Sequence, residues 1–238
     1  MLLKVATLVL IPSLIVQGSR VNKNTLRLAE AAGDRTGVSG SGRKLSLLIL
    51  GDSAAAGVGV AHQQDALLGS ILQQLAQDFE IHWTLEAKTG HTTTQVLEKL
   101  QQMPAQHFDV VITSVGVNDV TKLTPPQRWI EQQQQFYQQI QQKFKPQLIV
   151  AAGVPPLQKF PALPNPLGWL FGQYAKQMNL RLNQLAPQLH NMHLIEYDLE
   201  QYARLNLSMA RDGFHPSKEI YQLWGSAVAE KIQQYCHV

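Results

Sequence analysis

The chain has 238 residues, of which 45% are hydrophobic and 16% charged, a globular composition that excludes a wholly disordered protein. Its net charge of +3 comes without any block of Lys or Arg, so no nucleic-acid-binding surface is indicated. The only cysteine, Cys236, excludes an internal disulfide bond and a cysteine-based zinc cluster. The length fits one large α/β domain better than two smaller domains.

The chain opens with an almost continuously aliphatic run that ends at Val16. The run has the length of a signal-peptide core, but a membrane-spanning helix needs about 20 apolar residues. Three cations follow it, Arg20, Lys23 and Arg27, and this order of charges opposes export. We interpret residues 1–18 as a signal or anchor-like segment of an envelope protein that is able to associate with a membrane. An apolar helix packed on the domain is the alternative.

A polar segment separates this apolar run from the first strand pattern. Residues 19–43 end in a stretch rich in Gly and Ser from Thr36 to Arg43, a composition typical of linkers. We therefore predict a linker over residues 19–43 and a folded domain over residues 44–238.

Strand and helix patterns alternate through this domain. Short apolar runs predict strands buried on both faces, and apolar residues three and four apart predict amphipathic helices. The predicted strands are Leu45–Leu50, Ile81–Leu85, Phe108–Val115, Gln147–Ala152 and Met192–Tyr197. The predicted helices are Asp65–Phe79, Thr93–Met103, Pro125–Lys143, Trp169–Leu189 and Lys218–Tyr235. Strands joined by helices pair in parallel, so we expect a three-layer α/β/α sandwich with a doubly wound, flavodoxin-like sheet of about five strands.

Polar residues follow several of the predicted strands. Ser53, Gly90 and Asn118 come after the first three strands, and Asp212 and His215 lie between the fifth strand and the last helix. Ligands of an open parallel sheet bind beyond the carboxyl ends of its strands, so these five residues are expected to converge. A hydroxyl, an imidazole, a carboxylate and hydrogen-bond donors are the parts of a serine acyl-transfer site.

Each of these residues also has an ordinary structural interpretation. Ser53 and Asp212 are good helix caps, and Gly90 and Asn118 are common turn residues. These separate explanations leave the shared location unexplained, so the catalytic interpretation is favoured.

The spacing of these residues resembles that of the SGNH, or GDSL-type, serine hydrolases. The matching blocks are Gly51-Asp52-Ser53, Gly90, Gly116–Asp119 and Asp212–Pro216, in the family's order, and together they span most of the predicted domain. Ala54 stands where many members carry Leu. One block would be weak evidence, whereas four in order are strong evidence.

The resemblance implies a role for each of the five residues. Ser53 would be the nucleophile, His215 its general base and Asp212 the residue that orients the imidazole ring. The backbone N–H groups of Ser53 and Gly90 and the side-chain amide of Asn118 would form the oxyanion hole. The implied reaction is hydrolysis of carboxylic esters, short acyl or lysophospholipid-like, through an acyl-enzyme and without a cofactor or metal.

The proline-rich segment Pro155–Phe171 follows the fourth predicted strand and should overhang the same edge of the sheet. Phe160, Leu163 and Trp169 give it apolar surface, so we predict that these residues form the wall or lid of an acyl-binding pocket. A rigid loop that only covers the core is the alternative.

Other functions compete with an esterase. A carbohydrate O-deacetylase or an acyltransferase would use the same groups. A nucleotide-binding protein is disfavoured because the chain lacks both G-x-G-x-x-G and G-K-[ST]. A non-catalytic binding module would leave Asp212 and His215 without a role. The expected partner is a small-molecule or lipid ester, no nucleic acid is expected, and the oligomeric state is not predicted.

Overall fold

A computed structural model, which describes residues 2–195, 197, 200 and 204–236, has a mostly parallel sheet between two layers of helices. The predicted α/β/α sandwich is thereby confirmed. In the described part of the chain, the strands are β1 (Thr36–Ser39), β2 (Arg43–Gly51), β3 (Phe79–Ala87), β4 (Val110–Ser114), β5 (Leu148–Ala152) and β6 (Met192–Ile195). The helices there are α1 (Leu2–Asn24), α2 (Leu67–Leu75), α3 (Thr93–Gln102), α4 (Val117–Thr121), α5 (Pro126–Phe144), α6 (Leu167–Leu185) and α7 (Lys218–Cys236).

The sheet has the order β1-β3-β2-β4-β5-β6. The strands from β2 to β6 are parallel, in the doubly wound order of flavodoxin-like sheets, and β1 pairs antiparallel with β3 at the edge. The sheet described here thus has six strands where about five were predicted.

The additional strand, β1, lies within the segment predicted to be a linker. Gly37, read as a flexible residue, has a packing role, because a Cβ at this position would lie 2.6 Å from the indole ring of Trp83 on β3. A glycine here lets β1 pass over that ring. The first residues of the predicted linker belong to α1. The prediction of a linker over residues 19–43 is therefore wrong for residues 19–24, for Thr36–Ser39 and for Arg43, which lie in α1, β1 and β2.

Both faces of the sheet are covered, which explains why its strands read as continuous apolar runs. On β2, Leu48 and Leu50 face the core formed with α3, α5 and α6, and Leu47 and Ile49 face the core formed with α2 and α7. All four side chains are fully buried.

Helix α1 packs along α6, with Leu14 buried between them, which corresponds to the alternative of an apolar helix packed on the domain. Within the described residues, no helix is apolar over a length sufficient to cross a bilayer.

Some predicted boundaries differ from the observed ones. The helix predicted over Asp65–Phe79 is shorter, because Gln63–Asp65 form a 3₁₀ turn and Phe79 opens β3. The last predicted strand ends at Ile195, with Tyr197 outside it and Glu196 outside the described residues. Helix α4 was not predicted.

Candidate active site

Ser53 lies in the tight turn that follows β2. The turn is closed by backbone hydrogen bonds of 3.0 Å from the N–H of Ala56 to the carbonyl of Asp52 and from the N–H of Val58 to the carbonyl of Ser53. The hydroxyl of Tyr221, from α7, contacts the carbonyl oxygen of Val58 at 2.7 Å. These bonds anchor the turn, so Ser53 is held at the carboxyl edge of the sheet.

Ser53, His215 and Asp212 form a hydrogen-bonded series. Ser53 Oγ lies 2.9 Å from His215 Nε2, and His215 Nδ1 lies 2.5 Å from Asp212 Oδ2. Gly213, with φ of +64°, turns the chain so that the backbone N–H groups of Phe214 and His215 donate to Asp212 Oδ1 at 2.9 and 3.0 Å. Residues far apart in sequence are thus brought together as the motifs predicted.

The environment of Asp212 favours its charged form. Burial by itself would raise the pKa of this carboxyl, but the hydrogen bonds from the backbone and ring of His215 and from the N–H of Phe214 outweigh it and hold the pKa below its usual value. An anionic Asp212 fixes the proton of His215 on Nδ1 and leaves Nε2 able to accept the Ser53 proton. The three groups can therefore activate an alcohol oxygen.

The segments that carry Gly90 and Asn118 lie beside the Ser53 turn. The N–H of Lys88 donates to the carbonyl of Gly51 at 3.2 Å, and Asn118 Nδ2 donates to the carbonyl of His91 at 3.0 Å. Gly90 is exposed, has φ of +83°, and an added Cβ would meet no atom within 4 Å. In the described part of the chain, the backbone N–H groups of Ser53 and Gly90 donate to no other protein atom. Both N–H groups are thus without a protein acceptor among the described residues, although neither Gly90 nor Asn118 is among the residues that line the cavity beside Ser53.

Ser53 and His215 line a cavity of about 480 Å³. Its wall comes from the ends of β4 and β5, the segment after β5, and the residues around His215. The apolar residues of the lining are Ala54, Val115, Val117, Val154, Pro155, Pro156, Phe160, Pro161, Leu207, Met209, Phe214, Pro216 and Ile220. The rings of Phe160 and Phe214 meet edge to face, with centroids 5.3 Å apart. A mostly apolar pocket therefore opens beside the hydroxyl of Ser53.

Of the three predicted pocket residues, only Phe160 lines this cavity. Leu163 is buried in the core next to α6, and Trp169 is 44% exposed on the first turn of that helix. Leu167 and Leu170 take the core-facing positions of the turn, which directs Trp169 outward. The prediction that Leu163 and Trp169 form the pocket wall is corrected accordingly.

Two buried carboxyl groups, those of Asp52 and Asp119, lie next to Ser53 and Asn118 in the sequence. Burial raises the pKa of Asp52 to about 7, with a smaller contribution from the charge of Asp119. Burial likewise raises the pKa of Asp119, although the backbone and hydroxyl of Thr93 both donate to its Oδ2 at 3.0 Å. Asp52 Oδ1 accepts the N–H of Ala54 at 3.1 Å. Asp52 thus braces the turn that carries Ser53, and Asp119 braces the start of α3.

The contribution of Leu207–Met209 to the cavity was not predicted. The segment belongs to no regular element and follows no recognisable motif, so the sequence carries no signal for its position. Among the described residues, no cluster of His, Cys, Asp and Glu is arranged to hold a metal ion.

A family model matches most of the chain. The model of the GDSL-like lipase/acylhydrolase family matches residues 49–223, which include Ser53, Gly90, Asn118, Asp212 and His215. The comparison with curated proteins found no match.

Several solved structures share the fold. The aryl esterase of M. smegmatis has a TM-score of 0.62 at 18% identity, and the psychrotrophic esterase EstA of Pseudoalteromonas sp. has 0.60 at 18%. A carbohydrate acetylesterase from Sinorhizobium meliloti has a TM-score of 0.58 at 19% identity. These matches cover 80%, 81% and 80% of this chain, respectively, and 99% of each of the three structures. At such low identity the likeness establishes the fold alone.

Proposed function

The chain belongs to the GDSL-like lipase/acylhydrolase family and is therefore a carboxylic ester hydrolase, and we propose that Ser53, His215 and Asp212 are its catalytic triad. The observation that carries the proposal is the 2.9 Å contact between Ser53 Oγ and His215 Nε2 at the wall of an apolar cavity. A hydroxyl in this position has both a base to take its proton and space for the ester it would attack.

The proposed reaction has two steps. Ser53 Oγ attacks the ester carbonyl carbon while its proton passes to His215 Nε2, and the proton then goes to the departing alcohol as the ester C–O bond breaks. Water repeats the sequence on the acyl-enzyme, releasing the acid and restoring Ser53. Asp212 stays ionised throughout and stabilises the imidazolium that forms in each step.

The oxyanion of each tetrahedral intermediate needs preorganised donors. The backbone N–H groups of Ser53 and Gly90 and the amide of Asn118 are proposed for this role, each worth about 3–4 kcal/mol of barrier. Asn118 already donates one proton to the carbonyl of His91, which orients the amide and leaves its second proton for the substrate. The open space at the Gly90 Cα supports the assignment, because a side chain there would stand in the path of an approaching ester.

The proposed substrates are esters whose acyl chain enters the cavity beside Phe160, as in short acyl esters and lysophospholipids. The apolar lining and the volume of about 480 Å³ support a chain longer than acetyl. The alternative is a carbohydrate O-deacetylase or an acyltransferase. Deacetylation is the activity named for one structure of the same fold.

A series of nitrophenyl esters of increasing acyl length tests the substrate class. We expect Ser53→Ala and His215→Ala to lose turnover by several orders of magnitude. We expect the wild type to prefer a chain longer than acetyl. Phe160→Ala should lower the ratio of kcat/KM for the longer esters to kcat/KM for the acetate about tenfold, because the pocket loses an apolar contact.

Trp169→Ala is the matched control, since this exposed aromatic lies outside the cavity lining. Its chain-length profile should equal that of the wild type. A wild type that hydrolyses acetyl esters best, with acetylated carbohydrate among its substrates, would favour the deacetylase instead. A profile unchanged by Phe160→Ala would contradict the proposed pocket.

A further inference from the structure

One stripe of helix α1 is fixed to the catalytic domain. The residues of this stripe recur three or four positions apart, and they are Thr7, Leu10, Leu14, Gln17 and Val21. Gln17 exchanges two hydrogen bonds with the start of α6, donating to the carbonyl of Asn165 at 2.7 Å and accepting the N–H of Leu167 at 3.0 Å. Helix α1 therefore lies along the domain surface instead of projecting from it.

The opposite side of α1, its outer face, is apolar and uncovered. Its exposed aliphatic residues are Val5, Leu8, Val9, Ile11, Ile15 and Val16. Leu8, Val9 and Ile15 are 66%, 73% and 67% exposed. A helix that is apolar on all sides is normally buried on all sides. The domain covers only one side of α1, so the other side is suited to a second apolar environment.

The charges next to the outer face identify that environment. The exposed cations Arg20, Lys23 and Arg27 follow the apolar turns directly, and residues 1–29 contain no acidic residue. None of the ion pairs formed within the described residues involves these three cations. A convex aliphatic surface with unneutralised cations at one end is complementary to lipid chains below anionic headgroups.

We propose that the outer face of α1 docks the enzyme on a membrane that contains anionic lipids, with the helix lying in the interfacial plane. The predominantly apolar part of the helix, residues 2–16, contains one charged residue, Lys4, and is about 22 Å long at 1.5 Å per residue, well short of the roughly 30 Å of a bilayer core. Docking in the plane lets the apolar side chains enter the lipid while Gln17 keeps its hydrogen bonds to the domain.

Flotation with lipid vesicles tests the apolar half of the proposal. The purified full chain should bind vesicles of phosphatidylcholine and phosphatidylglycerol. Val9→Gln/Ile15→Gln should lower the partition coefficient at least about 30-fold, because two largely exposed aliphatic side chains no longer enter lipid. The matched control, Val38→Gln/Leu205→Gln, alters exposed aliphatic residues outside α1 and should bind like the wild type.

The charged half is tested by removing the three cations. At low salt the wild type should prefer vesicles with phosphatidylglycerol to vesicles of phosphatidylcholine alone by about 100-fold. Arg20→Gln/Lys23→Gln/Arg27→Gln should abolish most of this preference. The matched control with the same loss of charge carries Lys44→Gln, Arg128→Gln and Lys145→Gln. The proposal would be overturned if the wild type does not bind vesicles, or if binding is unchanged in either α1 variant. A change of oligomeric state in Val9→Gln/Ile15→Gln without vesicle binding would assign the face to a second copy of the chain.

The readout is independent of the proposed catalysis. Ser53→Ala should bind vesicles as the wild type does, because Ser53 is not part of the docking face and only hydrolysis is lost. Conversely, the α1 variants should hydrolyse a water-soluble nitrophenyl ester at the wild-type rate. Failure of docking and failure of the triad are therefore distinguishable.

Discussion

The turn that carries Ser53 and the loop that carries His215 meet at Gly59. A Cβ added to Gly59 would lie 2.2 Å from the carbonyl oxygen of Pro216, whereas real Cβ atoms essentially never approach closer than 3.0 Å. Gly59→Ala therefore requires the two loops to separate by about 0.8 Å. Since Pro216 directly follows His215, the shift should lengthen the 2.9 Å contact between His215 and Ser53. A misplacement of about 1 Å costs roughly 100-fold in rate, so we expect kcat to fall about 100-fold.

Gly42→Ala provides a matched control for backbone strain. Gly42 has φ of +119°, against +115° for Gly59, and its Cβ would lie 2.4 Å from the carbonyl oxygen of Asp78. Both substitutions should destabilise the fold, at a cost of about 1–3 kcal/mol for the backbone conformation. Gly42, however, precedes β2 at the opposite end of the strand from Ser53. The kcat of the Gly42→Ala variant should therefore stay near the wild-type value. Nitrophenyl ester hydrolysis per folded molecule measures the difference, and equal kcat values for the two variants would refute the reasoning.

Two further predictions concern the buried carboxyl groups. Because the pKa of Asp52 is raised to about 7 in the folded protein, ionisation makes folding less favourable as the pH rises from 3.8 to 7. Asp52→Asn should match the wild type in free energy of unfolding below this range and exceed it by up to roughly 4 kcal/mol above it, as measured by urea denaturation. A pH-independent difference would contradict this. The hydroxyl of Thr93, which donates to Asp119, also accepts hydrogen bonds from Trp129 Nε1 at 3.1 Å and from Gln133 Nε2 at 2.9 Å. Thr93→Val should therefore lower the free energy of unfolding by roughly 3 kcal/mol or more in the same assay, and Thr93→Ser should lower it much less. Equal losses in the two variants would be inconsistent with a role of the hydroxyl.

The central strands were predictable because both of their faces are buried. Leu47, Leu48, Ile49 and Leu50 are all inaccessible to solvent, and no alternation obscures the apolar run. The edge strand β1 was not predictable in this way, because it is half exposed and contains a glycine whose role depends on Trp83 in another strand. Helix α4 is too short, at five residues, to show a helical period.

The candidate site likewise has a part that was predictable from the sequence and a part that was not. Ser53 follows the end of β2, and Asp212 and His215 shortly precede α7. Because all three belong to local motifs at the carboxyl edge of the sheet, their meeting point was predictable. Their catalytic roles stay predictions. The cavity wall at Leu207–Met209 and the outward direction of Trp169 depend on how loops and α6 pack, and no local pattern encodes them. The burial that raises the pKa of Asp52 is likewise a property of the assembled fold.

The most direct measurement of the central claim is the site of labelling by a serine-reactive phosphonate probe, mapped by peptide mass spectrometry. Two other serines, Ser114 and Ser208, line the cavity and serve as internal competitors. We predict that the label is carried by Ser53 alone, is lost in Ser53→Ala and forms far more slowly in His215→Ala. Label on Ser114 or Ser208, or undiminished labelling of Ser53→Ala, would contradict the account.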